Sequence, residues 1–139
     1  YIAQNEGSTY FIIPLRGKGL WGPIWGYVSL KENGSTVFGA TFDHKSETPG
    51  LGAEIKTPVF TDLFPGKEMF ADNKFEGIKV MKGNANGLHQ VNGISGGTIT
   101  SVGVENMITD CMQSYQQFLQ SYEVADAASV EPNTLATNN

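Results

Sequence analysis

Between Val104 and Tyr122 the apolar residues fall on one side of a helix. Val104, Met107, Ile108, Cys111, Met112, Tyr115, Phe118, Leu119 and Tyr122 recur in steps of three and four. A stripe of that length needs an apolar surface to lie on, and the remainder of the chain supplies strands rather than further helices. The helix is entered through Ser95-Gly96-Gly97-Thr98-Ile99-Thr100-Ser101, which has two glycines and four hydroxyls in seven residues. At such an entry the first N–H groups have no intrahelical acceptor and the positive end of the helix dipole faces outward, which suits a phosphate. The same residues also serve plain capping, since Ser101 or Thr100 can satisfy orphan N–H groups. Physics alone leaves both readings open.

The upstream segments read as strands and turns. Residues 1–9 are polar and are expected to form a loose lead-in. Tyr10 to Leu15 is a short strand, and Arg16 to Pro23 is a loop broken by three glycines and a proline. Ile24 to Leu30 and Thr36 to Asp43 are two strands joined through Asn33-Gly34, a strong hairpin signal. His44 to Glu54 is a second glycine- and proline-punctuated loop. Thr57-Pro58 reads as a cap with proline at the first helical position, opening a short helix to about Phe64 that Pro65-Gly66 ends. Ile78 to Lys82 is another strand, and Gly83 to Gly93 is an Asn- and Gly-rich loop. After residue 122 the periodicity stops, and 123–139 read as a disordered tail. The expectation is one α+β domain over residues 10–122. It has a mainly antiparallel sheet, one long C-terminal helix packed on that sheet and a short helix in a connecting segment. The loops 16–23, 44–54 and 83–98 are the segments able to gather at the start of the long helix.

Charge and cysteine content narrow the function classes. The chain of 139 residues has a formal net charge of −5, and all nine Lys and Arg lie in residues 1–82. No basic footprint for nucleic acid is present. The single cysteine, Cys111, rules out an internal disulfide, and its place on the apolar stripe reads as a buried structural thiol. No His/Cys spacing suggests a metal site. No apolar run approaches membrane-spanning length and no signal peptide is visible. No dinucleotide fingerprint supports a direct NADH site, which weakens a reading as a free-standing flavin reductase.

The seven-residue stretch resembles the Ser-Gly-Ala-Thr-x-Thr-Ser signature of the covalent FMN-binding domain family. Further blocks recur in that family's order: Gly19-Leu20-Trp21, Glu47-Thr48-Pro49-Gly50-Leu51-Gly52 and Ile78-Lys79-Val80-Met81-Lys82-Gly83. Together they cover roughly residues 10–120. Within the family the blocks are most similar to the C subunits of sodium-translocating NADH:quinone oxidoreductases, with the G subunits of Rnf electron-transport complexes as the near alternative. Two positions depart from the pattern. Gly97 stands where the family prefers Ala, and Asn92 stands where it usually has an acid.

The resemblance implies that a flavin transferase cuts FAD and leaves FMN joined by its phosphate to Thr98, with Ser95, Gly96, Gly97, Thr100 and Ser101 around that phosphate. It implies that Glu47, Thr48 and Leu51 line the isoalloxazine side, with Leu20 and Trp21 able to pack on the ring or its dimethylbenzene edge; without the resemblance Trp21 reads equally as core or rim packing. No base lies near Thr98 in the sequence, so self-modification is not expected. The implied role is a flavin electron carrier within a membrane respiratory complex, one part of an oxidoreductase rather than a complete catalyst. The implied partners are the other subunits, the transferase during maturation, and the cytoplasmic membrane through an N-terminal helix, with this domain on its outer side. Read without the resemblance, the glycine loops and helix entry equally suit a secreted, non-redox module for a phosphate-bearing or sugar ligand.

Overall fold

The computed structural model describes residues 1–137, with side chains described through residue 119 and at Ser121. Four strands form an antiparallel sheet in chain order: β1 (Ile2–Asn5), β2 (Ser8–Lys18), β3 (Pro23–Leu30) and β4 (Val37–His44). Strand β1 pairs with the first half of β2, so residues expected to be a loose lead-in form an edge of the sheet. Strand β2 also runs further than expected, through Gly17 and Lys18 opposite Ile24 and Pro23, and shortens the first loop to residues 19–22. The expected hairpin joins β3 to β4. Asn33 Oδ1 accepts from the Ser35 and Thr36 amides, and Gly34 takes the positive φ of 71° that closes the turn.

Alternation along these strands buries one face. Phe11, Ile13 and Leu15 of β2, Ile24, Val28 and Leu30 of β3, and Val37 and Phe42 of β4 point to the core. The long helix α2 (Thr98–Thr137) lies on that face and buries Val104, Met107, Ile108, Met112 and Leu119 against it. The expected helical face is therefore the buried one. Phe118, on the edge of the stripe, is about half exposed and meets Phe11 edge-on with ring centroids 6.3 Å apart. Cys111 is half-buried rather than fully buried, with Sγ 3.4 Å from the Arg16 amide that donates to it. The tail expected over 123–139 falls on residues whose side chains lie outside the described ones; the helical backbone is described to Thr137, and Asn138 and Asn139 not at all. Among the described residues no helix is long and apolar enough to cross a membrane.

The opposite face of the sheet has no layer on it among the described residues. Trp25, Tyr27 and Phe38 are exposed there, and Phe38 meets Tyr10 with ring centroids 4.6 Å apart.

After β4 the chain makes a 3₁₀ turn (Gly52–Lys56) and a short helix α1 (Pro58–Thr61). Proline opens α1 as expected, but Thr57 does not cap it; its hydroxyl donates to the Glu54 carbonyl instead. Phe60 and Phe64 from this segment close a cluster on Phe42. A two-residue hairpin follows, β5 (Phe70–Ala71) with β6 (Lys74–Phe75). Then β7 (Lys79–Met81) pairs in parallel with β8 (Gln90–Asn92). β8 lies inside the expected Asn- and Gly-rich loop. Glu105 of α2 accepts the Val80 amide at 2.6 Å and so joins the parallel pair to the helix.

Helix and sheet approach most closely where the site begins. A Cβ built on Gly17 would lie 2.7 Å from Met107 Cβ, and one on Gly103 would lie 2.5 Å from the Lys18 carbonyl oxygen. Gly103→Ala sets two effects against each other. Helix propensity favours alanine by about 1 kcal/mol, while forcing a methyl group against fixed backbone costs about 1–3 kcal/mol. The clash wins because a carbonyl oxygen cannot swing aside. The variant is expected to unfold at a lower urea midpoint with an unchanged slope.

Candidate flavin site at the start of the long helix

Three short segments meet at the first turn of α2. The segment entering the helix is anchored at both ends: the Gly93 amide donates to the Met81 carbonyl, and Ile94 is buried. Ser95 and Gly96 then form an exposed knuckle, with Gly96 at φ 76°. Loop 48–52 packs against this knuckle. A Cβ on Gly96 would lie 2.7 Å from Leu51 Cδ2, and one on Gly97 would lie 3.0 Å from the Gly52 nitrogen and the Leu51 carbonyl. The glycine at 97, where the family prefers alanine, thus sits under a backbone crossing with little room to spare. The third segment is the turn 19–22, closed by the Gly19 amide donating to the Gly22 carbonyl.

These segments enclose a cavity of about 240 Å³ beside Thr98. Leu20, Trp21, Thr48, Leu51, Gly96, Gly97, Thr98 and Thr100 line it, so eight expected site residues converge there. Leu20, Trp21 and Leu51 are all substantially exposed, Trp21 at 66%, which leaves an apolar wall facing Thr98. Ile99, which the sequence reading missed, extends that wall and is 62% exposed. Its signal was available: it is an apolar residue off the buried stripe, directly after Thr98. A second, more open cavity of about 570 Å³ lies on the other side of Thr98 and Ile99, with Lys18 and Lys82 on its rim.

The hydroxyls divide by role. Ser101 is fully buried; its Oγ accepts the Ile94 amide at 2.9 Å and donates to the Gly97 carbonyl at 2.8 Å. Thr100 donates to Glu47. Both side chains brace the helix entry, each turned toward a buried partner. The first helical bond here runs from the Ser101 amide to the Gly97 carbonyl. The N–H groups of Thr98, Ile99 and Thr100 precede it and have no intrahelical acceptor. The Thr98 hydroxyl has no partner among the described residues. Ser95 is exposed on the knuckle but does not line the smaller cavity.

Glu47 differs most from its expected place beside the ring. It is 3% exposed and absent from the cavity lining. Its Oε1 accepts the Leu20 amide at 2.8 Å and the Thr100 hydroxyl at 2.5 Å, and its Oε2 accepts the Trp21 amide at 2.8 Å. Burial pushes the carboxyl up; the Thr100 hydroxyl, the Trp21 and Leu20 amides and His44 outweigh it and hold the pKa below the ordinary value. Between that lowered pKa and the ordinary glutamate value of about 4.3, the unfolded chain binds the extra proton. Stability from this group is therefore complete above the ordinary value and is lost as pH falls through the folded one. Urea midpoints taken from pH 7 to pH 3 are expected to fall at the acid end, and less steeply in Glu47→Gln.

Asn92, the other departure from the family pattern, ends β8 with its side chain exposed, and its Oδ1 accepts the Ala85 amide at 2.9 Å. It closes the loop before the signature and does not touch Thr98.

Donors without acceptors, a free hydroxyl, an apolar wall and closely packed glycines suit a flat ring carried on a phosphate. Comparison with known proteins agrees. The family model described as FMN-binding domain matches residues 19–113. The C subunit of the Na(+)-translocating NADH-quinone reductase of Pasteurella multocida is 41% identical over 109 residues, covering 76% of this chain and 42% of that one. Its counterpart in Vibrio anguillarum is 43% identical over 107 residues, with the same two coverages. The crystal structure of the corresponding C subunit from Parabacteroides distasonis superposes with a TM-score of 0.81 at 46% identity, covering 85% of this chain and 60% of that one. NqrC from Shewanella oneidensis superposes with a TM-score of 0.71 at 28% identity, covering 86% of this chain and 59% of that one. The chain thus spans less than half the length of the curated relatives it matches. On the match over residues 19–113, with the signature at the mouth of the cavity, the chain belongs to the FMN-binding domain family.

Proposed function

We propose that this domain carries FMN as a phosphoester on Thr98 and passes electrons within a sodium-translocating NADH:quinone oxidoreductase of the cytoplasmic membrane. The observation that carries this reading is the position of Thr98, a free hydroxyl at the mouth of an apolar cavity on the first helical turn. In forming the link, the Thr98 oxygen bonds to the FMN phosphorus of FAD, the pyrophosphate bond breaks and AMP leaves. The hydroxyl proton goes to a base. No titratable side chain lines the smaller cavity among its described residues, and this reading assigns the base to a flavin transferase.

Once bound, the flavin supplies the redox chemistry. The chain's own residues do the rest. The N–H groups of Thr98, Ile99 and Thr100 face the phosphate, with a helix-end contribution of about 0.3–1 kcal/mol. Leu20, Trp21 and Leu51 cover the ring and exclude water, and Thr48 offers its polar edge a hydroxyl. Lys18 and Lys82 line the second cavity together with Asp110; the two cations would favour a negatively charged ring placed beside them.

The names of the relatives support the sodium pump over the Rnf complex. The other subunits, the outer side of the membrane and an N-terminal membrane anchor belong to the same proposal. Co-expression with a flavin transferase in flavin-rich medium tests it: the intact mass should rise by one FMN less one water. A chain that stays at its unmodified mass with an active, matched transferase refutes the assignment.

A further inference from the structure

We propose that Glu47 is the positioning residue of the site. Its buried carboxylate holds the Leu20–Trp21 backbone to the start of α2 and so builds the apolar wall opposite Thr98 before any ligand arrives. The inference rests on the flavin reading for its consequence, though not for its geometry. The two oxygens have separate tasks. Oε1 receives the Leu20 amide and the Thr100 hydroxyl, from two segments far apart in the chain, while Oε2 receives the Trp21 amide alone. The loop below is fixed in turn, since the Glu47 amide donates to His44 Nδ1 at 3.0 Å. There is no slack around the carboxylate: a Cβ on Gly19 would lie 2.5 Å from Oε1.

A carboxylate is acceptor-only at both oxygens, and the Leu20 and Trp21 amides, which can only donate, both need that. An amide of the same shape does not meet the requirement. Glutamine can keep its oxygen toward Leu20 and Thr100, but it then aims an N–H at the Trp21 N–H. Turned over, it keeps Trp21 and can donate one N–H to the Thr100 hydroxyl, but aims the same nitrogen at the Leu20 N–H. A merely space-filling side chain at 47 predicts no such choice. Trp21 is mostly exposed, with little packing of its own to hold it; its carbonyl accepts the Ser46 hydroxyl at 3.4 Å, and its amide is held at 2.8 Å by Glu47.

The test uses the full chain co-expressed with a flavin transferase, as wild type, Glu47→Gln, Thr100→Val, Trp21→Ala and the Glu47→Gln/Trp21→Ala pair. Amide hydrogen exchange reads the clamp without reference to flavin. In Glu47→Gln one of the two loop amides, Leu20 or Trp21 according to which way the side-chain amide faces, is expected to exchange at least about tenfold faster, a change of about 1.4 kcal/mol in opening free energy. The other loop amide and the Val28 amide should keep their wild-type rates. The flavin's fluorescence reads the consequence. Trp21 held against the ring quenches it, so Glu47→Gln should raise emission several-fold and add nothing to Trp21→Ala, because the two act through one contact.

Unchanged exchange at both Leu20 and Trp21, or an emission change that adds to that of Trp21→Ala, overturns the proposal. Exchange that accelerates equally at Leu20, Trp21 and Val28 also overturns it, since that is general loosening. If Glu47→Gln does not fold, Thr100→Val decides. It removes only the bond to the helix; higher emission with both loop amides still protected supports the clamp, and unchanged emission refutes it. A wild type that takes up no flavin refutes the flavin reading by itself, and the exchange rates still judge the clamp.

Discussion

Thr98→Ala is expected to abolish covalent flavin entirely while leaving the fold intact. The side chain is half-buried at the first helical position and its hydroxyl has no partner among the described residues. Its removal therefore breaks no internal bond, and alanine is the better helix former by about 0.5 kcal/mol. Intact mass separates the outcomes cleanly: wild type gains one FMN less one water, and Thr98→Ala gains nothing at an unchanged unfolding midpoint. Retention of the added mass in Thr98→Ala would place the link on another hydroxyl, with Ser95 the exposed neighbour. Asn92→Asp is the companion variant. Its side-chain oxygen still accepts the Ala85 amide, so stability should change by less than about 0.5 kcal/mol. It restores the acid usual in the family, and under limiting transferase it should raise the modified fraction.

The largest expected loss of stability lies away from the ligand. Phe60→Ala should destabilise by about 3–5 kcal/mol, the range for emptying a buried aromatic site, against a total of about 5–15 kcal/mol for a domain. Phe60 is 0% exposed and its ring lies 5.7 Å from Phe42 and 5.1 Å from Phe64, centroid to centroid. The consequence reaches the site because α1 follows directly on the turn that begins at Gly52. Losing the anchor frees the loop that brings Leu51 onto the glycine knuckle, so the modified fraction should fall too. Val59→Ala is the control: Val59 is 74% exposed, and its truncation should change the midpoint by less than about 0.5 kcal/mol. Urea unfolding of both variants checks the pair.

Local chemistry explains which parts of this structure the sequence made readable. The helical stripe and the Asn33-Gly34 hairpin were legible because each signal is contained in a few neighbouring residues. β1 and β8 were not. Each is a short edge strand: β1 buries no side chain fully and β8 buries only Val91, so neither shows the alternation that marks a half-buried strand. The convergence of Leu20, Trp21, Thr48 and Leu51 on Thr98 followed from the family blocks, and their spacing alone did not contain it. The inward turn of Glu47, Thr100 and Ser101 was invisible for a different reason. Glu47 and Thr100 are 53 residues apart, and nothing in one segment announces that the other will hold its donor. Ser101 looked like a cap. It does bind main-chain groups, but as an internal brace between Ile94 and Gly97.

The face of the sheet left open among the described residues has a colloidal consequence. With Trp25, Tyr27 and Phe38 open to solvent, two copies of this domain have something to gain by touching. What opposes contact is the net charge of −5, a long-range repulsion whose reach is set by the solvent. At 0.1 M salt that reach is about 10 Å, and at 1 M it shrinks to about 3 Å. Added salt therefore favours self-association twice over, by removing the repulsion and by strengthening apolar contact. The isolated domain should stay dispersed in dilute buffer and begin to cluster in brine.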